Sequence, residues 1–332
     1  MLDDLNSDTC EITAAFQADT KSVFSLSWED IAQATKEDRT LSVIVNAIED
    51  GSIGSLPAST DQSSQILKYR DSLYVSDGVV MYRERAVIPV SLRQLVMDIL
   101  HSAHQGVSGM EARARSLVFW PGITADTHDI RAECSPCNRN APSHAPMPAT
   151  DQFVPSTPFE AVFGDFFGFN GHHFLIAGDR LSGWTEIYKA PHGTPQAGAD
   201  GLISALRSLF ATFGVPEELS SDGGPEFISQ KTVDFLKRWG VRHRKSSSHF
   251  PQSNGRAEVA VKKCKRLLME NISATGSLNN DKLLRALLQV RNTPDPDCNV
   301  SPAEIVFGRP LRDAFSFVNR LPKYGNPHIR ST

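Results

Sequence analysis

The spacing of apolar positions divides the chain into segments with different periods. Residues 28–50 carry Ile31, Ala32, Leu41, Ile44, Val45 and Ile48. From Thr40 onward these fit a short helix stopped by Gly51. Leu67-Lys68-Tyr69, Ser72-Leu73-Tyr74-Val75 and Val79-Val80-Met81-Tyr82 predict β-structure, with Ser76-Asp77-Gly78 as a hairpin turn. From Ser91 the period turns helical: Leu92, Leu95, Val96, Ile99 and Leu100 form one stripe, and Gly106 follows as a stop. Ser108 and Glu111 have capping-box spacing for a second helix. A third runs from about Thr124 to Glu133 and leads into Cys134-Ser135-Pro136-Cys137.

Residues 138–158 hold Pro142, Pro146, Pro148, Pro155 and Pro158 among Ser, Ala and Asn, the composition of a linker. Beyond it strands and helices alternate. Strands are predicted at Phe159–Gly168, Phe174–Asp179, Thr185–Ala190, Glu218–Ser221 and Val241–Lys245. Helices are predicted at Thr194–Phe213, Glu226–Trp239, Asn254–Asn271 and Asp281–Val290. Three consecutive strands followed by helix–strand units predict an α/β domain with a mixed sheet covered on both faces. The expected organisation is a loose segment over 1–27, an extension over 28–88 and a small helical module over 89–140. A linker over 141–155, the α/β core over 156–315 and a short tail over 316–332 complete it.

Composition adds few constraints. The chain has 332 residues, 40% hydrophobic and 22% charged, as expected of a globular protein. The acidic start Met1-Leu2-Asp3-Asp4 does not read as a signal peptide, and no apolar run approaches the roughly 18 residues of a membrane span, so no membrane partner is expected. Five cysteines, only two of them close together, point to one metal site in a reducing compartment. Net charge is −4, yet residues 231–266 carry eleven Lys/Arg against Asp234 and Glu258 alone. Such a run is more often a solvated helix face; here it surrounds a candidate catalytic acid, which favours a phosphate-binding footprint.

Two constellations carry chemistry. His101, His104, Cys134 and Cys137 stand as His-x2-His-x29-Cys-x2-Cys. Two imidazoles and two thiolates suit one tetrahedral Zn²⁺ with no open position, hence a structural ion. A module of about fifty residues has too small a core to be stable alone, so the ion would supply folding free energy. His128, His172, His173, His192, His243 and His249 lack matching partners and read as ordinary histidines.

The second constellation is acidic. Asp165 lies mid-strand beside Phe163, Phe166 and Phe167, where an isolated carboxylate is costly unless paired or metal-bound. Asp222 ends the strand before Gly223-Gly224-Pro225, at a strand end where open α/β sheets place ligands. Glu258 follows after 35 intervening residues, in the first turn of a helix whose buried stripe is Ala257, Ala260, Val261, Cys264, Leu267 and Leu268. Lys262, Lys265 and Arg266 share its other face. Simple ion pairing accounts for Glu258 with Lys262 but leaves Lys265 and Arg266 without acids on that face, as a DNA-holding groove would. Three carboxylates with no nucleophilic triad suit two-metal phosphoryl transfer with Mg²⁺ or Mn²⁺. Asp165 is the best placed to bridge the two ions; Asp222 and Glu258 would each complete one.

In order, the motifs are His101-Ser102-Ala103-His104-Gln105-Gly106, Phe119-Trp120-Pro121-Gly122-Ile123, Cys134-x-x-Cys137, Phe163-Gly164-Asp165-Phe166-Phe167-Gly168, Asp179-Arg180-Leu181-Ser182-Gly183-Trp184, Ser221-Asp222-Gly223-Gly224-Pro225-Glu226-Phe227 and Pro251-Gln252-Ser253-Asn254-Gly255-Arg256-Ala257-Glu258. Together they resemble the integrases of gypsy-type LTR retrotransposons and, more distantly, retroviral integrases. The resemblance covers roughly 28–315. It implies an RNase H-like fold with a mixed five-stranded sheet, preceded by a zinc-stabilised HHCC module. It also implies DDE-type chemistry: water-mediated processing of DNA 3′ ends, then attack of those ends on target DNA. Gln252, Ser253 and Asn254 would touch the DNA end. Partners would be element-end and target DNA, with a homo-multimer holding two ends. A nuclear address follows from the substrate, since no clear import run is present. Two other functions suit the same residues: a host-captured, catalytically idle DNA-binding or scaffold protein, and a plain RNase H-like nuclease.

Overall fold

The computed structural model describes residues 25–56, 62–139, 155–190, 197–245, 262–269, 278, 281–295 and 298–322. They fall into two compact units. The first draws on 1–99, 117–121 and 312–332; the second on 100–116 and 122–311.

The first unit opens with two capped helices. In α1 (Trp28–Glu37) the Ser27 side chain accepts from the Asp30 backbone while Asp30 reaches back to Ser27, and Trp28, Ile31 and Thr35 are buried. This helix was not anticipated, because its buried face alternates apolar with polar. Helix α2 (Arg39–Glu49) is capped by Asp38, which accepts from Thr40 and Leu41, and buries Leu41, Ile44 and Ala47. Leu67-Lys68-Tyr69, expected as a strand, instead closes the short helix α3 (Gln62–Leu67) and enters a turn. Strands β1 (Leu73–Ser76) and β2 (Val79–Tyr82) form the expected hairpin. At its tip Asp77 and Gly78 have φ of 46° and 78°, as a type I′ turn requires. Two further strands were missed: β3 (Arg85–Val87) and β4 (Val118–Phe119), which pair in parallel with Ala86 opposite Val118. Leu41, Ile44, Ile66, Leu67, Val80, Tyr82, Val87 and Phe119 form the shared core. The segment after residue 312 closes this unit. Leu26 bridges to Phe315, and Phe315, Phe317, Val318 and Leu321 are buried.

Helices α4 (Val90–His101), α5 (Val107–Leu117), α6 (Ile123–Glu133) and α7 (Ser135–Arg139) make up the His/Cys module. Helix α5 begins before Ser108, and Glu111 pairs with Arg115.

The sheet of the second unit is the mixed, five-stranded, RNase H-like one expected. Strands β5 (Ala161–Phe169), β6 (His172–Asp179) and β7 (Thr185–Lys189) run as an antiparallel meander. Strand β8 (Glu218–Ser221) joins parallel to β5, and β9 (Arg242–Lys245) parallel to β8, giving the order β7-β6-β5-β8-β9. Period-two alternation sends Val162, Leu175, Ala177 and Leu219 to one face. There they meet α8 (Ala197–Phe213) through Leu202, Leu206, Leu209 and Phe210. Phe163, Phe174 and Ile176 take the other face. They pack on Cys264, Leu267 and Leu268 of α11 (helical over 262–269) and on Leu283, Ala286 and Leu287 of α12 (Asp281–Arg291). The helix expected over Glu226–Trp239 is two: α9 (Pro225–Ile228) and α10 (Gln230–Arg238). Ser229 between them has ψ of 144°, and its hydroxyl caps the backbone of Thr232. The expected helix over Asn254–Asn271 falls within the described residues only at 262–269.

Gly178 on β6 lies directly across from Phe163, and a Cβ there would meet Phe163 Cζ at 2.2 Å and the Trp184 carbonyl oxygen at 2.8 Å. Relief would move both a packed ring and backbone. Gly178→Ala is therefore expected to destabilise the protein by about 2 kcal/mol, read from the denaturant midpoint. A midpoint equal to wild type would mean that Phe163 has another place to go.

Candidate metal centres

The four His/Cys ligands come from two turns. His101 ends α4, and its carbonyl accepts from the backbone of His104 at 2.7 Å. His104 itself lies outside the helix with φ of 47°. The two imidazoles thus converge through a left-handed turn rather than along one helical face. Cys134 ends α6, and Cys137 sits in α7, fully buried. Arg131 holds this turn, donating to the Cys137 carbonyl (3.0 Å) and to Asn138 Oδ1 (2.7 Å).

All four ligand atoms lie within 4.8 Å of one another. Cys134 Sγ is 3.3 Å from His104 Nδ1; Cys137 Sγ is 3.7 Å from that nitrogen and 3.8 Å from His101 Nε2. Around a tetrahedral zinc with ordinary bond lengths, sulfur and nitrogen stand about 3.6 Å apart. The residues fit the ion: a closed, structural Zn²⁺ site using Nε2 of His101 and Nδ1 of His104. Burial and the neighbouring Cys134 push the Cys137 thiol up, while the guanidiniums of Arg266 and Arg131 pull it down.

Two of the three candidate acids are described; Glu258 lies outside the described residues, as do Gln252, Ser253 and Asn254. The β5–β8 ladder ends at Gly164 opposite Ser221. Asp165, within β5, and Asp222, just past the end of β8, are therefore the residues that follow the last paired positions of two adjacent parallel strands. Asp222 is exposed; its Oδ1 accepts from the Gly224 backbone (3.1 Å) within the turn that Gly223, at φ of 71°, permits. Beside it, Ser221 Oγ and His243 Nε2 are hydrogen-bonded at 2.9 Å. Burial and then Lys245 lower the pKa of His243.

Asp165 is half-buried on the face covered by α11, and Lys265 Nζ lies 2.5 Å from its Oδ2 and 4.7 Å from the Phe167 ring centroid. The next residue, Arg266, donates to Cys137 Sγ at 2.8 Å. Both bases thus have partners, which removes the premise that had set them aside for DNA. No local pattern announced this, since those partners lie about a hundred residues away or more. Lys262 is exposed on the same helix. The basic strand β9 is likewise partly neutralised. Arg242 and Arg244 join Arg180 around the buried Glu218, at 3.2, 3.8 and 3.1 Å.

Other buried acids have structural work. Asp179 accepts from the Phe159 backbone, the Ser182 backbone and the Ser182 hydroxyl, using both of its oxygens. Asp165 and Asp222 instead follow the last paired positions of the β5–β8 ladder, and one cation, the Lys265 ammonium, is drawn to Asp165. Carboxylate oxygens are the ligand type that Mg²⁺ or Mn²⁺ prefers. Sequence reading also missed two contacts that seat the His/Cys module. Buried Arg113 donates to the Asn292 carbonyl (2.9 Å), and Gln105 donates to Thr293 Oγ1 (2.9 Å).

The family model for the integrase zinc binding domain matches residues 88–143. An uncharacterised protein of Caenorhabditis elegans is 31% identical over 291 residues, 87% of this chain and 22% of that protein. The Gag-Pol polyprotein of feline leukemia virus is 29% identical over 243 residues, 70% of this chain and 14% of the polyprotein. The chain therefore spans a minor part of the length of both relatives. A chain of the simian T-cell lymphotropic virus intasome, solved in complex with PP2A regulatory subunit B56 gamma, aligns with a TM-score of 0.41 at 22% identity. That alignment covers 71% of this chain and 80% of that one. No helix among the described residues is long and apolar enough to cross a membrane.

Proposed function

The chain is of the retroviral-integrase type, and on that premise we propose that it joins DNA ends to target DNA as a metal-dependent DDE polynucleotidyl transferase. The observation that carries this reading is the placement of Asp165 and Asp222 just past the last paired positions of two adjacent strands, in a chain that also holds a His/Cys zinc module. The ordered motifs favour the gypsy-type retrotransposon integrases within that type. Asp165, Asp222 and Glu258 would hold two Mg²⁺ or Mn²⁺ ions, which when bound would supply Lewis-acid stabilisation to the attacking and leaving oxygens.

The residues of the chain provide the frame. Asp165 is fixed by its strand, paired on both sides by β6 and β8. Asp222 is set at its angle by the Gly223 turn. Lys262, with Gln252, Ser253 and Asn254, would line the path of the DNA end; Lys265 releases Asp165 when the site is loaded. Water first attacks the phosphorus near a 3′ end, freeing a 3′-hydroxyl. That hydroxyl then attacks a target phosphodiester, whose own 3′-oxygen leaves. Two ends must meet one target, so a homo-multimer on DNA is expected, working in the nucleus where the target lies.

The test is purified protein with Mg²⁺ or Mn²⁺ on a branched DNA that mimics a joined end, beside Glu258→Gln. Rejoining that needs the metal and fails in the variant supports the transferase. Hydrolysis without rejoining would favour an RNase H-like nuclease. Binding without reaction would favour an idle captured protein.

A further inference from the structure

Helix α11 touches both metal centres through consecutive residues. Lys265 reaches Asp165 Oδ2 at 2.5 Å, and Arg266 reaches Cys137 Sγ at 2.8 Å. Successive side chains on a helix diverge by about 100°, so one turn points one base at the candidate catalytic carboxylate and the other at the zinc thiolate. The third side of this turn is apolar: Cys264, Leu267 and Leu268 are buried against Phe163 and Phe174, beneath the strand that carries Asp165. Apolar contact is non-directional and does not by itself fix a helix's rotation or axial position. The two charge-assisted contacts do.

We propose that Arg266 is a positioning residue that locks α11 to the zinc site, so that zinc loading sets the geometry of the carboxylate site. The proposal rests on the reading of Asp165 as a metal ligand. On the zinc side the anchor is stiff. Cys137 is fully buried, and zinc would fix its sulfur relative to His101, His104 and Cys134. The module is also tied to the second helix of the same face. Arg113, 1% exposed, donates to the Asn292 carbonyl just past α12, and Gln105 donates to the neighbouring Thr293. Both helices that cover the Asp165 face are thus held to the His/Cys module, α11 through a ligand atom itself. A guanidinium at a metal-bound thiolate also acts on the metal, and loss of such a partner typically weakens metal affinity about 10- to 100-fold.

The experiment uses the full, zinc-loaded chain and its Arg266→Gln and Arg266→Lys variants. Three quantities are read: zinc per chain, Mn²⁺ affinity by titration calorimetry, and amide hydrogen exchange over 262–269. Arg266→Gln is expected to keep its zinc, to bind Mn²⁺ about tenfold more weakly and to exchange faster across α11. Arg266→Lys, which keeps a charged donor, should recover part of both losses. Mn²⁺ affinity and exchange equal to wild type in Arg266→Gln would overturn the proposal. Complete loss of zinc from that variant would overturn it as well, since Arg266 would then act on the zinc site alone. Asp165→Asn separates the two readings. If it binds Mn²⁺ as wild type does, the metal assignment of Asp165 fails, while exchange over α11 still decides the role of Arg266.

Discussion

Asp165→Asn is expected to leave the protein folded and to slow metal-dependent rejoining of a branched DNA by about 10³-fold or more. The magnitude follows from removing one anionic oxygen from a site that stabilises developing charge by several kcal/mol, with each 1.36 kcal/mol worth about tenfold in rate. The amide keeps the size and shape of the carboxylate, so the strand and its pairing with Ile176 remain. The fold loses little. The Lys265 pair is partly solvated, with side-chain exposures of 32% and 18%, and an ion pair of that kind contributes about 1 kcal/mol or less. Single-turnover rates and thermal melts on the same preparations separate the two effects. A variant that melts like wild type and rejoins DNA within tenfold of it would rule out Asp165 as a metal ligand. Asp222→Asn should behave alike, with an even smaller effect on the melt, because its side chain is exposed and serves only its own turn.

Stripping the zinc, or replacing Cys137 by Ser, is expected to lower the melting temperature of the second unit by about 10–20 °C. Structural zinc contributes on the order of 10 kcal/mol in isolated fingers. Half of that, at about 2–4 °C per kcal/mol for a domain of this size, gives the range. The module cannot loosen alone: Ala103 lies in the core beneath Phe163 and Phe174, and Arg113 and Gln105 bond to residues beside α12. His104→Gly provides a control with the opposite local effect. Glycine would relieve the left-handed backbone at φ of 47°, a gain of about 1 kcal/mol, yet the variant should still melt lower because a ligand is gone. Calorimetry with and without added zinc checks this. A melt that ignores zinc would show that the four residues are held by packing alone.

How much of this was legible in the sequence depends on how far each signal reached. The zinc quartet could be read from spacing, because thiolate and imidazole are rare and their pairing rules are strict. Asp165 and Asp222 could be read because a carboxylate in an apolar strand, and another before two glycines, conflict with their surroundings. The five strands of the sheet followed from short, mostly apolar segments that alternate with helical ones. Strands β3 and β4 did not, since two or three residues carry no period and their parallel pairing joins Ala86 to Val118 across the intervening helices. Ser27 and Asp30 carried a capping signal for α1 that a search for apolar stripes passed over. Leu67 belonged to a buried helix end rather than a strand, an ambiguity periodicity cannot resolve in short apolar runs. The partners of Lys265 and Arg266 were beyond any local reading, because a base on a helix face looks the same whether it meets solvent, DNA or a thiolate.

The bridge between Leu26 and Phe315 bears on how the chain is made. Ser316 and Leu26, hydrogen-bonded through the Ser316 hydroxyl, are 290 residues apart in sequence. At ordinary translation rates Leu26, Ile31 and Trp28 leave the ribosome about 15–60 s before the segment that covers them. During that interval the fully buried Leu26 and Trp28, nearly so, have no Phe315 or Phe317 to pack against, and are exposed to chaperones and to other nascent chains. The second unit, whose residues end at Leu311, waits for a shorter stretch, since Arg113 and Gln105 meet Asn292 and Thr293 at separations of 179 and 188 residues. Synthesis therefore completes the unit carrying Asp165 and Asp222 first, and the unit that begins earliest is the last to close.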